Sequence, residues 1–505
     1  MKPTLEFEGQ HIDAESFFHR YQRAAVALRA AGVGEGDVVA MLMRNGPGLL
    51  ELMLAARWIG ALWCPINWHF KADEVQYILN DSGAKLLIAD AVLLDALLAG
   101  PAGPAGLKLK GINTFVTARH GDLSALPSLP SWASYRDAVT AANVVASAPR
   151  GAMFYTSGTT GKPKGIRRAP STPEQAARAL EVLRHCLGFE PGMRALVNAP
   201  MYHSAPNSYS IGSSLDNAHL FIQSRFDAED TLRMIDQHRI THAYLVPTML
   251  VRMLRLPADV RTRYDLTSIR FVASTGSPCP PDVKRAMIEW WGPVIYESYG
   301  ASELGYMTRL DSHEALLKPG SAGKPLPGVT LAILDKQGEP MPQGKAGLIY
   351  VHQPAYADFS YIGNDAARQK MERGGLKTLG DIGYLDEDGF LFIVDRSADL
   401  VISGGVNIYP AEIEAVLQMM PGVVDCAVFG IPDAEFGEAL ACAVQTSRGT
   451  SLDADDVKAF LKIRLATYKV PKTITFHAEM PREDTGKIFK RKLREPYWAG
   501  QARRV

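Results

Sequence analysis

The sequence predicts an α/β protein, with a large N-terminal part built on parallel sheets and a separate small α+β unit at the C-terminal end. Three observations carry this. Up to about residue 300, short apolar runs alternate with longer amphipathic ones. Beyond residue 320, strand-like runs follow one another without helices. After Asp395 the order becomes helix, two strands, helix, strand.

Taken in order, residues 5–12 form a short hairpin with its turn at Gly9-Gln10. Asp13 caps a helix that buries Phe17, Tyr21, Ala24 and Leu28 and stops at Gly32. Residues 37–42 and 85–89 read as strands, 47–61 and 73–79 as helices, and 101–150 as an Ala-, Pro- and Ser-rich surface connection. Further on, 227–240, 248–256 and 281–291 read as helices, and 243–246, 269–274 and 294–297 as strands. Such alternation calls for parallel sheets covered on both faces. Residues 347–352 and 390–394 are strands, the second introduced by the Asp386-Glu387-Asp388-Gly389 turn. The terminal unit comprises a helix at 410–419, strands at 424–431 and 440–446, a helix at 453–465 and a strand at 473–477. The domains are expected to be 1–397 and 398–505.

The chain has 505 residues, with 54 Lys and Arg against 54 Asp and Glu, so no bulk field draws it to nucleic acid or an anionic membrane. An anionic ligand must be held by local groups. Cys64, Cys186, Cys279, Cys426 and Cys442 are scattered and odd in number, which argues against a disulfide framework or a cysteine metal site and for a reducing, cytoplasmic setting. Glu6, Glu8, Asp13 and Glu15 do not suit a signal peptide, and the most apolar run, 52–64, is interrupted by Arg57 and too short to span a bilayer.

The strongest signal is Tyr155-Thr156-Ser157-Gly158-Thr159-Thr160-Gly161-Lys162-Pro163-Lys164-Gly165, which follows the apolar Ala152-Met153-Phe154. Three glycines, four hydroxyls and two lysines in eleven positions let backbone N–H groups and hydroxyls turn inward on phosphate oxygens. It is not a Walker A loop, which would place Gly at Thr156 and Ser or Thr at Pro163.

Through this loop the chain resembles the adenylate-forming superfamily of acyl-CoA synthetases, luciferases and peptide-synthetase adenylation domains. Further motifs recur in that family's order along essentially the whole chain. Tyr296-Glu297-Ser298-Tyr299-Gly300-Ala301-Ser302-Glu303 is similar to its Y-G-x-T-E segment, with Ser in place of Thr. Gly380-Asp381-Ile382-Gly383-Tyr384 and Asp395-Arg396-Ser397-Ala398-Asp399 follow. Pro481-Arg482-Glu483-Asp484-Thr485-Gly486-Lys487 is similar to its P-R-x-x-x-G-K signature.

The resemblance implies an N-terminal domain of two covered β-sheet layers plus a small barrel-like region, and a small mobile α+β C-terminal domain. It implies ATP and Mg²⁺, with coenzyme A as co-substrate. Thr156 to Lys162 and Lys164 would hold phosphates, and Glu303 with Thr156 the metal. Tyr299 would stack on adenine and Ser302 meet the α-phosphate, with Gly276, Glu297, Ser298 and Gly300 beside the nucleotide. Asp381 would take the ribose hydroxyls, since a carboxylate can accept from both, and Arg396 the ribose or phosphate. Lys487 would be the catalytic lysine, offsetting the charge that builds up during in-line attack.

On the acyl side, the P-x-x-H segment places His203 beside the substrate carboxylate, with Tyr202, Asn207, Ser208, Tyr209, Ser274 and Leu304 along the pocket. Small and polar groups there suit a compact or functionalised acid. The Ser403-Gly404-Gly405-Val406-Asn407 loop lets a narrow pantetheine arm approach the backbone. The family's pivot position, usually Lys or Asp, is Ala398 here.

The implied reaction forms an acyl-adenylate and then transfers the acyl group, with the small domain swinging between steps. Rivals are an amide ligase with an amine acceptor, an oxygenase of the luciferase type, and a catalytically dead nucleotide-binding homologue. The partners expected are small molecules, with no nucleic acid and no membrane. The oligomeric state stays open, a homodimer included.

Overall fold

The computed structural model describes residues 2–100, 107–109, 111–117, 128–140, 144–156, 163–397, 399–403, 406–447, 449–482 and 488–499. Contacts divide it into two compact units. One comprises Met1–Leu317, Leu326–Val329 and Gln353–Lys370, the other Lys318–Pro325, Thr330–His352 and Met371–Val505.

The first unit opens with a tight hairpin, Thr4–Phe7 against Gln10–Ile12, in which Phe7 faces Gln10. Its turn residues are Glu8 and Gly9, both at positive φ (49° and 77°), one position earlier than the sequence suggests. A type I′ two-residue hairpin loop needs left-handed backbone at both positions, and Gly9 takes the second. Asp13 caps the following helix, Ala14–Ala30, by accepting from the Glu15 and Ser16 amides. Phe17, Tyr21, Ala24 and Leu28 are buried along it as the spacing predicts.

The main sheet runs in the order Gly305–Leu310, Ile295–Ala301, Phe271–Ser274, His242–Tyr244, Arg194–Val197, His219–Ile222, Thr4–Phe7, Gln10–Ile12. Its inner strands are parallel, and a hairpin closes each of these two ends. A second, all-parallel sheet orders Leu62–Pro65, Val38–Leu42, Leu86–Ala89 and Asn113–Val116. Val38–Leu42, Leu62–Pro65 and Leu86–Ala89 are buried at every position, which is how strands covered on both faces read in sequence. The expected surface connection over 101–150 thus contributes a strand, and a helix as well, Trp132–Ala138.

The second unit holds an antiparallel sheet of Thr330–Leu334, Gly347–His352, Leu376–Leu385, Glu372–Arg373 and Leu391–Arg396. The long strand Leu376–Leu385 escapes the sequence reading because Gly380 (φ 82°) and Gly383 interrupt its alternation. Gly383 sits at a register shift where a Cβ would lie 2.5 Å from the Phe392 carbonyl oxygen. The short helix Asp365–Gln369, in the first unit, is also unforeseen.

The terminal α+β pattern is as expected. Val423–Asp433 pairs with Gly437–Thr446, Thr473–His477 lies parallel to the latter, and the helices Pro410–Leu417 and Ala454–Lys462 contribute to their core. A partly buried ion pair crosses this region, Lys490 Nζ to Glu414 at 2.8 Å. All five cysteines are buried free thiols. No helix among the described residues is long and apolar enough to cross a membrane.

Candidate active site

In the first unit, the phosphate-loop motif springs from a β-hairpin. Phe154–Thr156 pairs antiparallel with Lys164–Arg168, and Thr156 faces Lys164 directly. The two flanking residues of the loop are therefore held in register. Ser157, Gly158, Thr159, Thr160, Gly161 and Lys162 themselves lie outside the described residues. Gly165 is required by space: a Cβ there would sit 2.8 Å from both the Tyr155 ring and Ile362. Tyr155 in turn donates to Asp81 at 2.7 Å, tying the hairpin to the helix Ala72–Ser82.

The third strand of this small sheet, Phe359–Tyr361, pairs with Lys164–Arg168. Lys164 Nζ lies 5.1 Å from the centroid of the Tyr361 ring, and the Tyr361 hydroxyl donates to Glu303 Oε1 at 3.0 Å. One short relay of contacts thus joins the base of the phosphate loop to the carboxylate expected to hold metal.

Ser302, Glu303 and Leu304 are the three-residue turn between Ile295–Ala301 and Gly305–Leu310. Gly305 closes it at φ 74°, the left-handed residue that a three-residue hairpin loop calls for, and a Cβ there would strike the Tyr356 ring. Gly300 permits close approach of the two strands, its position lying 2.8 Å from the Gly305 carbonyl oxygen when a Cβ is added.

Arg168, which the sequence reading does not single out, braces this turn from the next sheet. Its guanidinium donates to the carbonyls of Ala357, Ser302 and Glu303 at 2.8, 2.9 and 2.8 Å and lies over the Tyr356 ring. Burial lowers its pKa from the ordinary arginine value. The arginine sits seven residues after Gly161, beyond the motif, where nothing in the local pattern sets it apart from Arg167.

The same turn meets a helix N-terminus. Ser302 Oγ donates to Ser204 Oγ at 2.8 Å, and Ser204 is the first residue of the helix Ser204–Leu215. The N-cap residue is His203, which makes no side-chain cap bond. Helix N-termini present unsatisfied N–H groups that favour anions. His203 Nε2 is buried with no hydrogen-bond partner among the described residues. Burial holds the imidazole down to about 4, so at neutral pH it is uncharged and can still donate one hydrogen bond.

The remaining site residues are placed as follows. Tyr202 is buried with its ring 4.5 Å from that of His203. Asn207 is buried and its amide is engaged, accepting from Trp63 Nε1 at 3.2 Å and donating to the Met201 carbonyl at 2.8 Å. Ser208 is half-buried, while Tyr209 and Leu304 are buried. Ser274 closes its parallel strand with a buried hydroxyl, and Gly276 follows at φ 97°. Glu297 is paired with the buried Lys284, its carboxyl pKa raised by burial. Ser298 and Tyr299 continue that strand to Gly300.

In the second unit, Asp381 and Arg396 face each other across adjacent strands, and Arg396 Nε donates to the buried Asp381 Oδ1 at 3.0 Å. Ala398, Gly404, Gly405 and Lys487 lie outside the described residues. The chain flanking 483–487 is tied down on both sides. Arg482 bridges Ile488, and its guanidinium donates to Asp425 Oδ2 at 2.7 Å and to Gln445 at 3.0 Å, while the Lys490–Glu414 pair follows on the other side.

Two comparisons with known proteins decide the family. The AMP-binding enzyme model matches residues 1–358, and the AMP-binding enzyme C-terminal domain model matches residues 412–487. A feruloyl-CoA synthase of Amycolatopsis sp is 34% identical over 482 residues, covering 95% of this chain and 92% of that protein. The chain belongs to the AMP-binding, adenylate-forming enzyme family. Its fold is similar to ATP-bound MatB from Rhodopseudomonas palustris, with TM-score 0.83 and 29% identity over 98% of this chain and 96% of that one. It is likewise similar to the o-succinylbenzoate coenzyme A synthetase MenE from Bacillus subtilis in complex with ATP and magnesium ion, with TM-score 0.82 and 27% identity over 97% and 96%.

This adenylate-forming enzyme is therefore an AMP-forming carboxylate ligase. Its residues fit the metal. Glu303 offers one carboxylate at the turn beside the phosphate hairpin and Thr156 one hydroxyl, which suits a hard cation riding mainly on phosphate oxygens and water.

Two imidazoles of the enzyme, His242 buried and His203 half-buried, have a consequence for pH. Burial lowers both His203 and His242 from 6.5 to about 4. Between those values the unfolded chain takes up protons that the folded chain refuses, so stability rises with pH there and is lost as pH falls. The melting temperature is expected to drop on acidification from pH 7 to pH 5, and less steeply in a His242→Asn variant. Identical slopes for the two proteins would contradict the assignment.

Proposed function

We propose that this enzyme activates a compact carboxylic acid with MgATP and delivers the acyl group to the thiol of coenzyme A. The observation that carries the reading is the convergence, within the first unit, of three elements of anion chemistry. The phosphate hairpin reaches Glu303 through Lys164 and Tyr361, Arg168 braces the Ser302–Glu303 turn, and Ser302 bonds the first residue of an uncapped helix carrying His203. The coenzyme A acceptor is supported by the two CoA-forming relatives and by the Ser403-Gly404-Gly405 sequence.

A carboxylate oxygen attacks the α-phosphorus, the bond to the β-phosphate oxygen breaks, and pyrophosphate leaves. His203 and the N–H groups at the start of its helix orient the acid. Residues 156–162 and Lys164 cradle the polyphosphate, Glu303 holds Mg²⁺, and Ser302 meets the α-phosphate. Tyr299 stacks on adenine, with Gly276, Glu297, Ser298 and Gly300 framing the nucleotide. Asp381 and Arg396 take the ribose, and Lys487 offsets charge at the junction of acid and phosphate. The thiolate then attacks the acyl carbonyl and AMP departs, with the chain pivoting near Ala398 between steps and domains meeting at 397/398.

The test is incubation of the enzyme with ATP, a panel of acids, and either coenzyme A or amino acids, read by mass spectrometry. Acyl-CoA with AMP is expected. Amide products with no thioester would replace the acceptor, leaving the activation step intact.

A further inference from the structure

Between the strand Arg194–Val197 and the helix Ser204–Leu215 the chain bends, and the bend brings His203 to the helix N-cap. The His203 amide closes a turn on the Pro200 carbonyl at 3.1 Å. Within the bend, Ala199 and Met201 are 2% and 0% exposed, so their peptide groups need partners inside the protein. Two asparagine side chains supply them.

Asn45 lies just beyond the strand Val38–Leu42 of the second sheet. Its Nδ2 donates to the Ala199 carbonyl at 2.8 Å, and its Oδ1 accepts from the Met201 amide at 2.8 Å. Asn207 stands in the first turn of the helix, where its backbone amide donates to the His203 carbonyl at 3.0 Å. Its Nδ2 donates to the Met201 carbonyl at 2.8 Å. Met201 is thus held by one carboxamide at its N–H and by another at its C=O. Asn207 Oδ1 in turn accepts at 3.2 Å from Trp63 Nε1, on the strand Leu62–Pro65. Both asparagines are buried. A carboxamide carries the same donor and acceptor as a peptide group, so it can stand where a neighbouring strand would otherwise be required.

Asn207 has no donor to spare for a ligand. One Nδ2–H serves the Met201 carbonyl, and the other lies against the Met53 sulfur, with nitrogen and sulfur 3.0 Å apart. A carboxylate is recognised by donors. Those left open at this bend are elsewhere: His203 Nε2 has no partner among the described residues, and the helix has no side-chain cap.

We propose that Asn45 and Asn207 are positioning residues, which clamp Met201 so that His203 and the N-terminus of its helix are held ready for the carboxylate of the acid. Asn207, expected from the sequence to line the acyl pocket, then acts without touching the acid. This rests on the acid-activating reading above and adds two residues to it. Both amides act on one residue, two positions before His203, and a displacement of about 1 Å at such a group costs on the order of 100-fold in rate.

The experiment measures pyrophosphate release by Asn45→Ala and Asn207→Ala over a panel of acids of different size and shape. In each variant kcat/KM for the acid is expected to fall by about 10- to 100-fold, mainly through a higher KM for the acid, with KM for MgATP close to the parental value. The ratio of kcat/KM between any two acids is expected to stay unchanged, because the carboxylate is common to all of them. The double variant is expected to lose little more than the worse single one, since both hold the same residue. A smaller folded fraction lowers kcat alone and moves neither KM, and each variant tests the proposal without the other. An altered order of acids in Asn207→Ala, an unchanged KM for the acid, or fully additive losses in the double variant would overturn the inference. Absence of acid-dependent pyrophosphate release from the parental enzyme with every acid would instead overturn the activation reading itself.

Discussion

Lys487→Ala is expected to lose acid-dependent ATP–pyrophosphate exchange by about 100- to 1,000-fold, the scale seen when one preorganised charge-stabilising group is removed. The same variant is expected to convert synthetic acyl-adenylate and coenzyme A to product at close to the parental rate. The asymmetry follows from the chemistry. Charge accumulates at the acid–phosphate junction during attack on the α-phosphorus, where an ammonium is most useful. In thioester formation the charge develops at an acyl carbonyl and leaves with AMP. The flanking anchors are spared by the substitution, since Arg482 and Lys490 hold Asp425 and Glu414 independently of residue 487. Equal loss in both half-reactions would refute a lysine dedicated to the first.

Arg168→Ala is the second large effect. The guanidinium satisfies three backbone carbonyls, two of them belonging to Ser302 and Glu303 themselves. Removing it strands three part-buried acceptors, so a combined loss on the order of 3–5 kcal/mol of folding stability is expected in denaturant titrations. At temperatures where the variant stays folded, exchange should still fall by about 10- to 100-fold, because the turn carrying Ser302 and Glu303 loses its brace. Arg168→Lys should recover little of either property, since a single ammonium cannot reproduce the planar fork. Full activity in Arg168→Lys would show that charge alone matters at this position.

Arg168 also illustrates what the sequence does and does not reveal. The alternation of apolar runs and amphipathic helices is legible because covered parallel strands must be apolar throughout, and Val38–Leu42 and Leu86–Ala89 are buried at every residue. The helix Pro281–Trp291 and the strand Thr473–His477 emerge with the limits the pattern suggests. Leu376–Leu385 does not, because Gly380 and Gly383 break its period where the backbone bends. The phosphate hairpin and the Ser302–Glu303 turn are legible as motifs, since their residue types are the chemistry. The side chains that hold motifs to one another are not. Tyr361 and Arg168 act through contacts 58 and 134–135 residues away in sequence, which no local window contains. Nor does the sequence show that Asn207 is engaged with Trp63 and Met201, or that Glu297 is paired with Lys284.

The central claim concerns which phosphate bond is broken. Incubating the purified enzyme with ATP, Mg²⁺ and a panel of carboxylic acids, and separating the nucleotides after partial turnover, reads it directly. AMP and pyrophosphate in equal amounts, appearing only when acid is present, are the result this account predicts. ADP with inorganic phosphate, or no acid-dependent nucleotide breakdown at all, would contradict it.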